Sequence, residues 1–204
     1  MNMRSALLLA PSLALGLALG LASPAAAEKI SLNELSNYLN GLKTVEAEFT
    51  QINADGTIST GTVYISRPGR VRFEYAPPEK TLVMAGGGQV AVFDGKSNQP
   101  PEQYPLSKTP LSIILAENVN LAQARMVTAH KEEKNTTTVT AQDPAHPEYG
   151  NIKMVFTGGP VELRQWVVTD NGGQKTTVIL GDLSKGGEIP PSKFSIPTEI
   201  GKRK

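Results

Sequence analysis

The feature that most constrains the fold is a pair of alternating segments on either side of a Pro68-Gly69 dipeptide, GTVYISRPGRVRFEY. In both segments apolar and polar residues alternate with the period of two that is typical of a β-strand. The dipeptide between them predicts a turn, so the two segments form a β-hairpin. One face of this hairpin then carries Val63, Ile65, Arg67, Val71, Phe73 and Tyr75. An arginine therefore lies in line with the apolar residues, on the face that a sheet buries.

The same alternation recurs along most of the chain. It places Val45, Ala47, Phe49 and Gln51 on one face of a strand, ahead of a hairpin turn at residues 54–56. Further strands are predicted within residues 80–96, with Gly86 to Gly88 as their turn, and in segments between residues 136 and 183, ending with a short KFSIP strand. Strands at this regular spacing, with turn signals between them, predict a meandering antiparallel sheet.

Two segments have the pattern of helices. In the first, Ser31 and Glu34 have capping-box spacing, and leucines recur at helical intervals up to Leu42. The second follows a proline-rich crossing at residues 96–105, with Thr109 as its predicted N-cap and Pro110 at its first position. Apolar residues cover nearly the whole circumference of this helix and include Ile113, Ile114 and Leu115. A helix of about two turns is unstable alone in water, so this one must pack against an apolar surface.

The first 27 residues have the features of a secretory signal. One charge, Arg4, precedes an apolar run over residues 6–22, and small residues precede Glu28. The alternative is a membrane anchor, which Pro11, two glycines within the run and the cleavage motif disfavour. We expect cleavage after Ala27, leaving residues 28–204 as one domain.

Composition excludes several classes of function. The chain has no cysteine, which excludes a disulfide scaffold, a thiol catalyst, cysteine-ligated zinc and a lipidated N-terminus. The full chain has 20 basic and 19 acidic residues. The predicted signal contains one of the basic residues, Arg4, and no acidic residue, so residues 28–204 carry 19 basic and 19 acidic side chains. Such a balance predicts no binding to nucleic acid. The terminal GKRK is predicted to be a solvated tail rather than a binding element.

The sequence contains none of the common short motifs for catalysis or metal binding. The two histidines, His130 and His146, have no partner histidine at metal-ligand spacing. Asp143, His146 and Glu148 form a cluster, but the prolines among them favour a surface loop. We therefore expect no enzyme, no metal and no cofactor, although Ser112 or Asp143 with His146 are conceivable actors in a hydrolase.

Several of these motifs resemble the LolA family of periplasmic outer-membrane lipoprotein carriers. The resemblance rests on the amphipathic first helix, FTQ in the first strand, the RPGRVRFEY hairpin, YAPPEKTLVMAGGGQVAVFD and KTPLSIIL, in that order. It implies a mainly β fold, an incomplete, strongly curved antiparallel β-barrel (a half-barrel) covered by a helical lid. It also implies that the arginine of the Arg-Pro pair, here Arg67, holds the lid closed when the cavity is empty.

The resemblance and the alternation together predict a container for acyl chains. Its lining would be Phe49, Val63, Ile65, Val71, Phe73, Tyr75, Ile113, Ile114 and Leu115. Each apolar residue alone is equally compatible with an ordinary core, and Arg67 could instead place its stem on apolar surface and its head in water. Even so, an arginine among apolar inner residues makes a closed, dry core less favourable.

The resemblance further implies the partners and the location. These are lipoproteins, an inner-membrane lipoprotein-releasing ABC transporter complex and an outer-membrane lipoprotein receptor, all met in the periplasm, and we expect a monomer. A carrier or sensor of another lipid or glycolipid on the same fold is the main alternative. A lipid-acting hydrolase is a second alternative, which would yield products where a carrier retains intact lipid.

Overall fold

The structure is a computed structural model that describes residues 29–97 and 99–203. The predicted signal and its cleavage site lie outside the described residues, so both stay predictions. Within the described part, no helix is long and apolar enough to cross a membrane.

The described elements are mostly strands. Three α-helices are present in this part of the chain, namely α1 (Leu32–Gly41), α2 (Leu111–Leu115) and α3 (Ile196–Lys202). The strands are β1 (Thr44–Ile52), β2 (Ile58–Ser66), β3 (Arg70–Tyr75), β4 (Leu82–Gly86), β5 (Gln89–Phe93), β6 (Glu102–Pro105), β7 (Val127–Glu133), β8 (Thr136–Gln142), β9 (Asn151–Thr157), β10 (Glu162–Thr169), β11 (Lys175–Leu180) and β12 (Ser184–Lys185).

The strands form one open antiparallel sheet. Its order is β6-β5-β4-β3-β2-β1-β11-β10-β9-β8-β7, with the short β12 pairing beside β11 on β1. The chain therefore runs outward from β1 to β6 by successive neighbours and returns from β7 to β11 on the other side. The contact between β1 and β11 joins the two halves, with Phe49 opposite Leu180. This confirms the predicted antiparallel meander.

The sheet is strongly curved, as ring contacts between distant strands demonstrate. Phe73 on β3 and Trp166 on β10 have ring centroids 6.3 Å apart, although three strands lie between β3 and β10 in the sheet order. Four strand spacings would separate the two rings by roughly 19 Å in a flat sheet. The sheet must therefore curl so that its two halves face each other. The predicted half-barrel is confirmed.

Helices α1 and α2 lie on the concave face and share its core. The Ser31 side chain accepts a hydrogen bond from the Glu34 backbone N–H (3.2 Å), which confirms the predicted N-cap of α1. Leu35 and Leu39 of α1 and the apolar residues of α2 belong to the same buried cluster as the inner residues of the sheet. The two helices therefore close the concave side.

The C-terminal segment corrects two predictions. KFSIP is not a strand: residues Pro191–Phe194 form a 3-10 turn, and α3 follows with Ser195 as its N-cap. An apolar alternation this short fits a helical turn as well as a strand, and prolines at the helix starts favour the helix. The GKRK tail is not wholly solvated, because Arg203 pairs with Glu199 (2.9 Å) and stacks over the Phe93 ring.

The structure differs from the sequence predictions in several smaller points. Part of the proline-rich crossing forms the edge strand β6, and the polar strand β7 was not predicted because its residues do not alternate cleanly. Gly86 ends β4 instead of lying in the turn. Helix α2 has five residues, and Thr109 does not cap it: its hydroxyl donates to the Leu106 carbonyl (2.8 Å) while Pro110 occupies the cap position.

Candidate functional site

The β2–β3 turn carries Arg67 to the mouth of the concave face. Residues Val63, Ile65, Val71 and Phe73 of this hairpin are buried on the inner side. Arg67 follows them in the same alternation and is only 8% exposed. The turn bends sharply because Gly69 adopts a φ of 70°, which lies in the left-handed region that favours glycine. The local sequence therefore places an arginine inside the apolar rim.

The guanidinium of Arg67 bonds both helices of the concave face. Its Nη1 donates to the Leu39 carbonyl in the last turn of α1. Its Nη2 donates to the carbonyl of Ala116, the residue that ends α2, and to Oδ1 of Asn40 at 3.3 Å. The backbone N–H of Gly69 adds a bond to the Leu115 carbonyl (2.8 Å). One turn of the sheet therefore binds the C-terminal ends of two helices.

These helix ends suit a cation for a physical reason. The last carbonyl groups of a helix have no partner within the helix, and the helix dipole makes this end partly negative. Arg67 offers five N–H donors and no acceptor, so it can satisfy several such carbonyls at once. The turn thereby acts as a shared C-cap for α1 and α2.

The charge of Arg67 is otherwise uncompensated in the described part of the chain. There it forms no salt bridge, and its buried Nε has no hydrogen-bond partner. Burial lowers the pKa of the Arg67 guanidinium, which nonetheless stays charged at neutral pH. Burying a charge without a carboxylate is costly. That cost offsets part of the stabilisation from the carbonyl bonds.

Aromatic side chains fill the interior beneath these helices. Phe49 meets Phe73 and Tyr75 edge-on, with ring centroids 5.4 and 5.3 Å apart. The Tyr75 hydroxyl donates to Oε1 of Gln51 (2.9 Å), so Gln51 ends the inner face as a half-buried hydrogen-bonding residue. Burial raises the pKa of Tyr75 to about 12. Trp166, which the sequence reasoning missed, completes this cluster.

A bulge in β10 explains why the alternation of this strand did not indicate Trp166. The pairing of β9 with β10 shifts register between Leu163 and Gln165. A bulge adds one residue and shifts the alternation, so the inward position cannot be counted from the start of the strand. The signal that remained was the large aromatic itself, which is only 1% exposed.

The concave side is closed and nearly filled. Ile113, Ile114 and Leu115 of α2 are all less than 10% exposed and pack in the same core as the sheet. Between α1, α2 and the sheet a cavity of about 20 Å³ remains, lined by Leu39, Leu42, Val45, Ile65, Arg67, Ile114, Leu115 and Leu163. This volume is on the scale of one water molecule. An acyl chain can enter only if a helix moves away.

The candidate hydrolytic residues make local contacts instead of a catalytic arrangement. The Ser112 hydroxyl donates to the Thr109 carbonyl (2.7 Å). His146 lies exposed, 2.9 Å from Oε1 of Glu148, and stacks on Tyr149. Asp143 Oδ1 accepts from the Ala145 backbone. Among the described residues, no hydrogen bond joins Ser112 to Asp143 or His146, and no group of three acidic or histidine side chains is placed to hold a metal.

Comparisons with known proteins indicate one family. A family model described as Outer membrane lipoprotein carrier protein LolA matches residues 40–197. The chain is 23% identical to an outer-membrane lipoprotein carrier protein of Chromobacterium violaceum, over 92% of each chain. It is 23% identical to a protein of the same name from Dechloromonas aromatica, over 87% of this chain and 88% of that one. A solved LolA superfamily protein from Nitrosomonas europaea, 9% identical, aligns with a TM-score of 0.44 over 81% of this chain and 98% of its own.

Proposed function

The chain belongs to the LolA family of outer membrane lipoprotein carrier proteins, and from this membership we propose that it sequesters the acyl chains of lipoproteins between its curved sheet and its helices. The carriage would be non-catalytic and would take place in the periplasm. Lipoproteins would be received from a releasing ABC transporter complex of the inner membrane and delivered to an acceptor at the outer membrane. The carrier would act as a monomer without a cofactor.

The observation that carries this proposal is the buried arginine of the β2–β3 turn. A protein that needed only a stable core would place an apolar residue at position 67, where Arg67 lies without a carboxylate partner among residues 29–97 and 99–203. A carrier, in contrast, needs a closed empty state that is stable but can be opened. Bonds from one side chain to the ends of two helices supply such a closure. We call this set of bonds the latch.

The proposed binding surface is the apolar lining that the latch covers. Displacing α2 would uncover Ile113, Ile114 and Leu115 on the helix and the inner residues of the sheet, which include Phe49 and the buried hairpin side chains. Acyl chains can replace the contacts that α2 makes with this surface. The surface then stays dry in both states: it is covered by the helix when empty and by lipid when loaded.

The energetics of transfer require that part of the binding free energy is offset, by incomplete burial of the acyl chains or by a latch of this kind. At about 0.8 kcal/mol for each buried methylene, full burial of three acyl chains would exceed the ceiling of roughly 18 to 21 kcal/mol for non-covalent binding. A carrier that bound so tightly could not deliver its cargo. Opening the latch subtracts from the net affinity, so that part of the binding free energy is returned when the helices close again.

Mass spectrometry of what co-purifies with the protein tests this proposal. The full chain is exported and isolated from the periplasm without detergent, and the bound species are identified by native mass spectrometry. We expect intact acylated polypeptides. The control is the chain expressed without residues 1–27, which stays where no mature lipoproteins are exposed and should carry none.

The other outcomes separate the alternatives. Glycolipid or phospholipid without polypeptide would indicate a carrier of another lipid and contradict lipoprotein carriage. Free fatty acids or lysolipids that accumulate with time would indicate a hydrolase. An empty protein in the periplasm, under conditions in which lipoproteins are released, would contradict carriage altogether.

A further inference from the structure

Asn40, the penultimate residue of α1, makes a set of contacts that the Arg67 bonds do not explain. Its Oδ1 accepts from the Val119 backbone N–H (2.8 Å), and its Nδ2 donates to the Val119 carbonyl (2.9 Å). Nδ2 also contacts Oδ1 of Asn118 (3.2 Å), and Oδ1 receives Arg67 Nη2 (3.3 Å). One side chain therefore binds both backbone groups of a residue 79 positions away along the chain.

The two residues bound by Arg67 and Asn40 follow directly after α2. Arg67 binds Ala116, and Asn40 binds Val119 three residues later. Both side chains also engage the end of α1, because Arg67 bonds the Leu39 carbonyl and Asn40 belongs to that turn. Any displacement of the segment after α2 away from α1 breaks both sets of bonds.

Helix α1 is bound independently to the sheet. Ile30, two residues before the helix, donates its backbone N–H to Thr137 Oγ1 (3.0 Å), and its carbonyl lies 2.9 Å from His130 Nε2. In the middle of the helix, the Tyr38 hydroxyl accepts from the Leu163 backbone N–H (3.0 Å). The helix is thus held by both β7–β8 and β10, and it is the fixed partner when α2 moves.

The segment after α2 is bounded on its far side by Leu121. This residue is fully buried, and its backbone N–H donates to the Ser36 hydroxyl (3.0 Å). The residues between α2 and this anchor are mostly exposed, apart from Val119. Bonds to Asn40 and Arg67 therefore act together with the Leu121–Ser36 bond and apolar packing to hold α2 and the residues after it to α1.

We propose that Asn40 is a second latch residue, which holds the segment after α2 to α1 and must release Val119 for α2 to leave the sheet. This inference rests on the proposed function, because it names the residue that governs opening of the same site. Asn40 acts through the position of α2 and touches no cargo. Its amide suits this role, since its oxygen accepts from the backbone N–H and its NH₂ donates to the carbonyl of the same residue, Val119.

Thiol labelling measures the opening directly, because the chain has no cysteine of its own. Val63→Cys places one thiol on the inner face of the sheet, where the residue is fully buried, and its rate of reaction with a soluble disulfide reagent reports the open fraction. In a separate variant, Met84→Cys places a thiol in the buried cluster under α3, which has no residue of α2 in it and becomes accessible only when α3 detaches or the chain unfolds. No lipid is present in the assay.

Asn40→Leu should raise the labelling rate of the thiol at position 63 about tenfold, which corresponds to a loss of about 1.4 kcal/mol. The labelling rate of the thiol at position 84 should stay unchanged. The matched control is Asn37→Leu, the same substitution one turn earlier on the exposed face of α1, which should leave both rates unchanged. If Asn40→Leu does not fold, Asn40→Ala carries the test with the same criteria.

Two results would overturn the inference. Equal labelling rates at position 63 in the Asn40 and Asn37 variants would show that Asn40 does not hold the segment. A parallel rise at positions 63 and 84 would show that Asn40 stabilises the whole fold and does not govern opening. Failure of lipoprotein carriage appears in mass spectrometry and leaves the labelling result intact, so the two hypotheses fail separately.

Discussion

Replacing Arg67 with leucine removes the latch and leaves the rest of the concave surface in place. Leucine keeps an apolar side chain at a buried position and loses every donor. In the closed state the Ala116 carbonyl would lose its Arg67 donor, and the Leu39 carbonyl would keep only the Leu42 backbone N–H (3.2 Å). In the open state water can reach both carbonyls. The substitution therefore penalises the closed state alone.

The size of the shift follows from the bonds that are lost. Each bond to a charged donor contributes about 1.5 to 3 kcal/mol, and the cost of burying an unpaired guanidinium offsets part of that sum. We expect a net loss of about 3 kcal/mol, which changes the closed-to-open ratio about 150-fold. A protein that is about 99% closed would become roughly 40% closed.

Two measurements on one preparation check this prediction. The first is the affinity for a purified acylated lipoprotein, which should be equal to or higher than that of the wild type because opening costs less. The second is transfer of the bound lipoprotein to acceptor membranes, which should slow because closure no longer drives release. Arg70→Leu is the matched control, since this residue belongs to the same hairpin but its Nε donates to the Ser66 carbonyl and its guanidinium lies over Phe194.

The reasoning would be refuted by the opposite pattern. Weaker binding with unimpaired transfer would show that Arg67 contacts the lipoprotein or merely stabilises the sheet. Equal effects from the Arg70 control would show that any loss of charge in this hairpin acts in the same way.

The remaining predictions concern the helices on the two faces of the sheet. Ile113→Asp should abolish lipid binding with little loss of thermal stability, because α2 can move away from the sheet and expose the new carboxylate to water. Ile58→Asp, at an exposed position, should change neither property. Circular dichroism melting and a fluorescent-lipid titration check both variants, and a large loss of stability in the Ile113 variant would mean that α2 is part of the core. Gly86→Ala should destabilise the fold by about 2 kcal/mol, since the new Cβ would lie 2.1 Å from the Phe194 carbonyl oxygen, and denaturant unfolding measures this. Burial acts to raise the pKa of Glu199, but hydrogen bonds and charges from two arginines outweigh burial and lower the pKa of this carboxyl group. The Glu199 carboxylate therefore stabilises the fold at pH values above the ordinary pKa of a glutamate, and this stabilisation is lost as the pH falls through the lowered pKa of the folded state. Glu199→Gln should therefore lower the melting temperature at pH 7, and the difference from the wild type should vanish in strong acid.

Some parts of the fold follow from local chemistry. The alternation around the Pro68-Gly69 turn predicted the hairpin and placed Arg67 on its inner face, because side-chain direction in a strand depends only on the count of residues. The Ser31 cap predicted the start of α1 for a similar reason, since its hydrogen bond spans three residues. The prediction for KFSIP was wrong because its pattern was too short to distinguish a strand from a helical turn, and β7 was missed because its residues are too polar to alternate clearly.

The candidate site depended on more than local patterns. The sequence placed Arg67 among the apolar residues of the inner face, and the family resemblance implied that it holds a lid. Neither identified the carbonyls that accept hydrogen bonds from Arg67. Neither indicated that Asn40 binds Val119. These partners lie 28, 49 and 79 residues apart in the chain. No spacing rule relates residues at such separations.

The sequence by itself determined most elements of this protein and the inward direction of its arginine, because capping, turn formation and strand alternation are short-range effects. Only the tertiary structure decided that the halves of the sheet face each other and that the ends of α1 and α2 meet at one turn. The curvature that achieves this accumulates from the twist of successive strands and from a bulge in β10. Each strand contributes a small rotation that no local pattern records, and their sum places Phe73 against Trp166 and Arg67 against two helix ends.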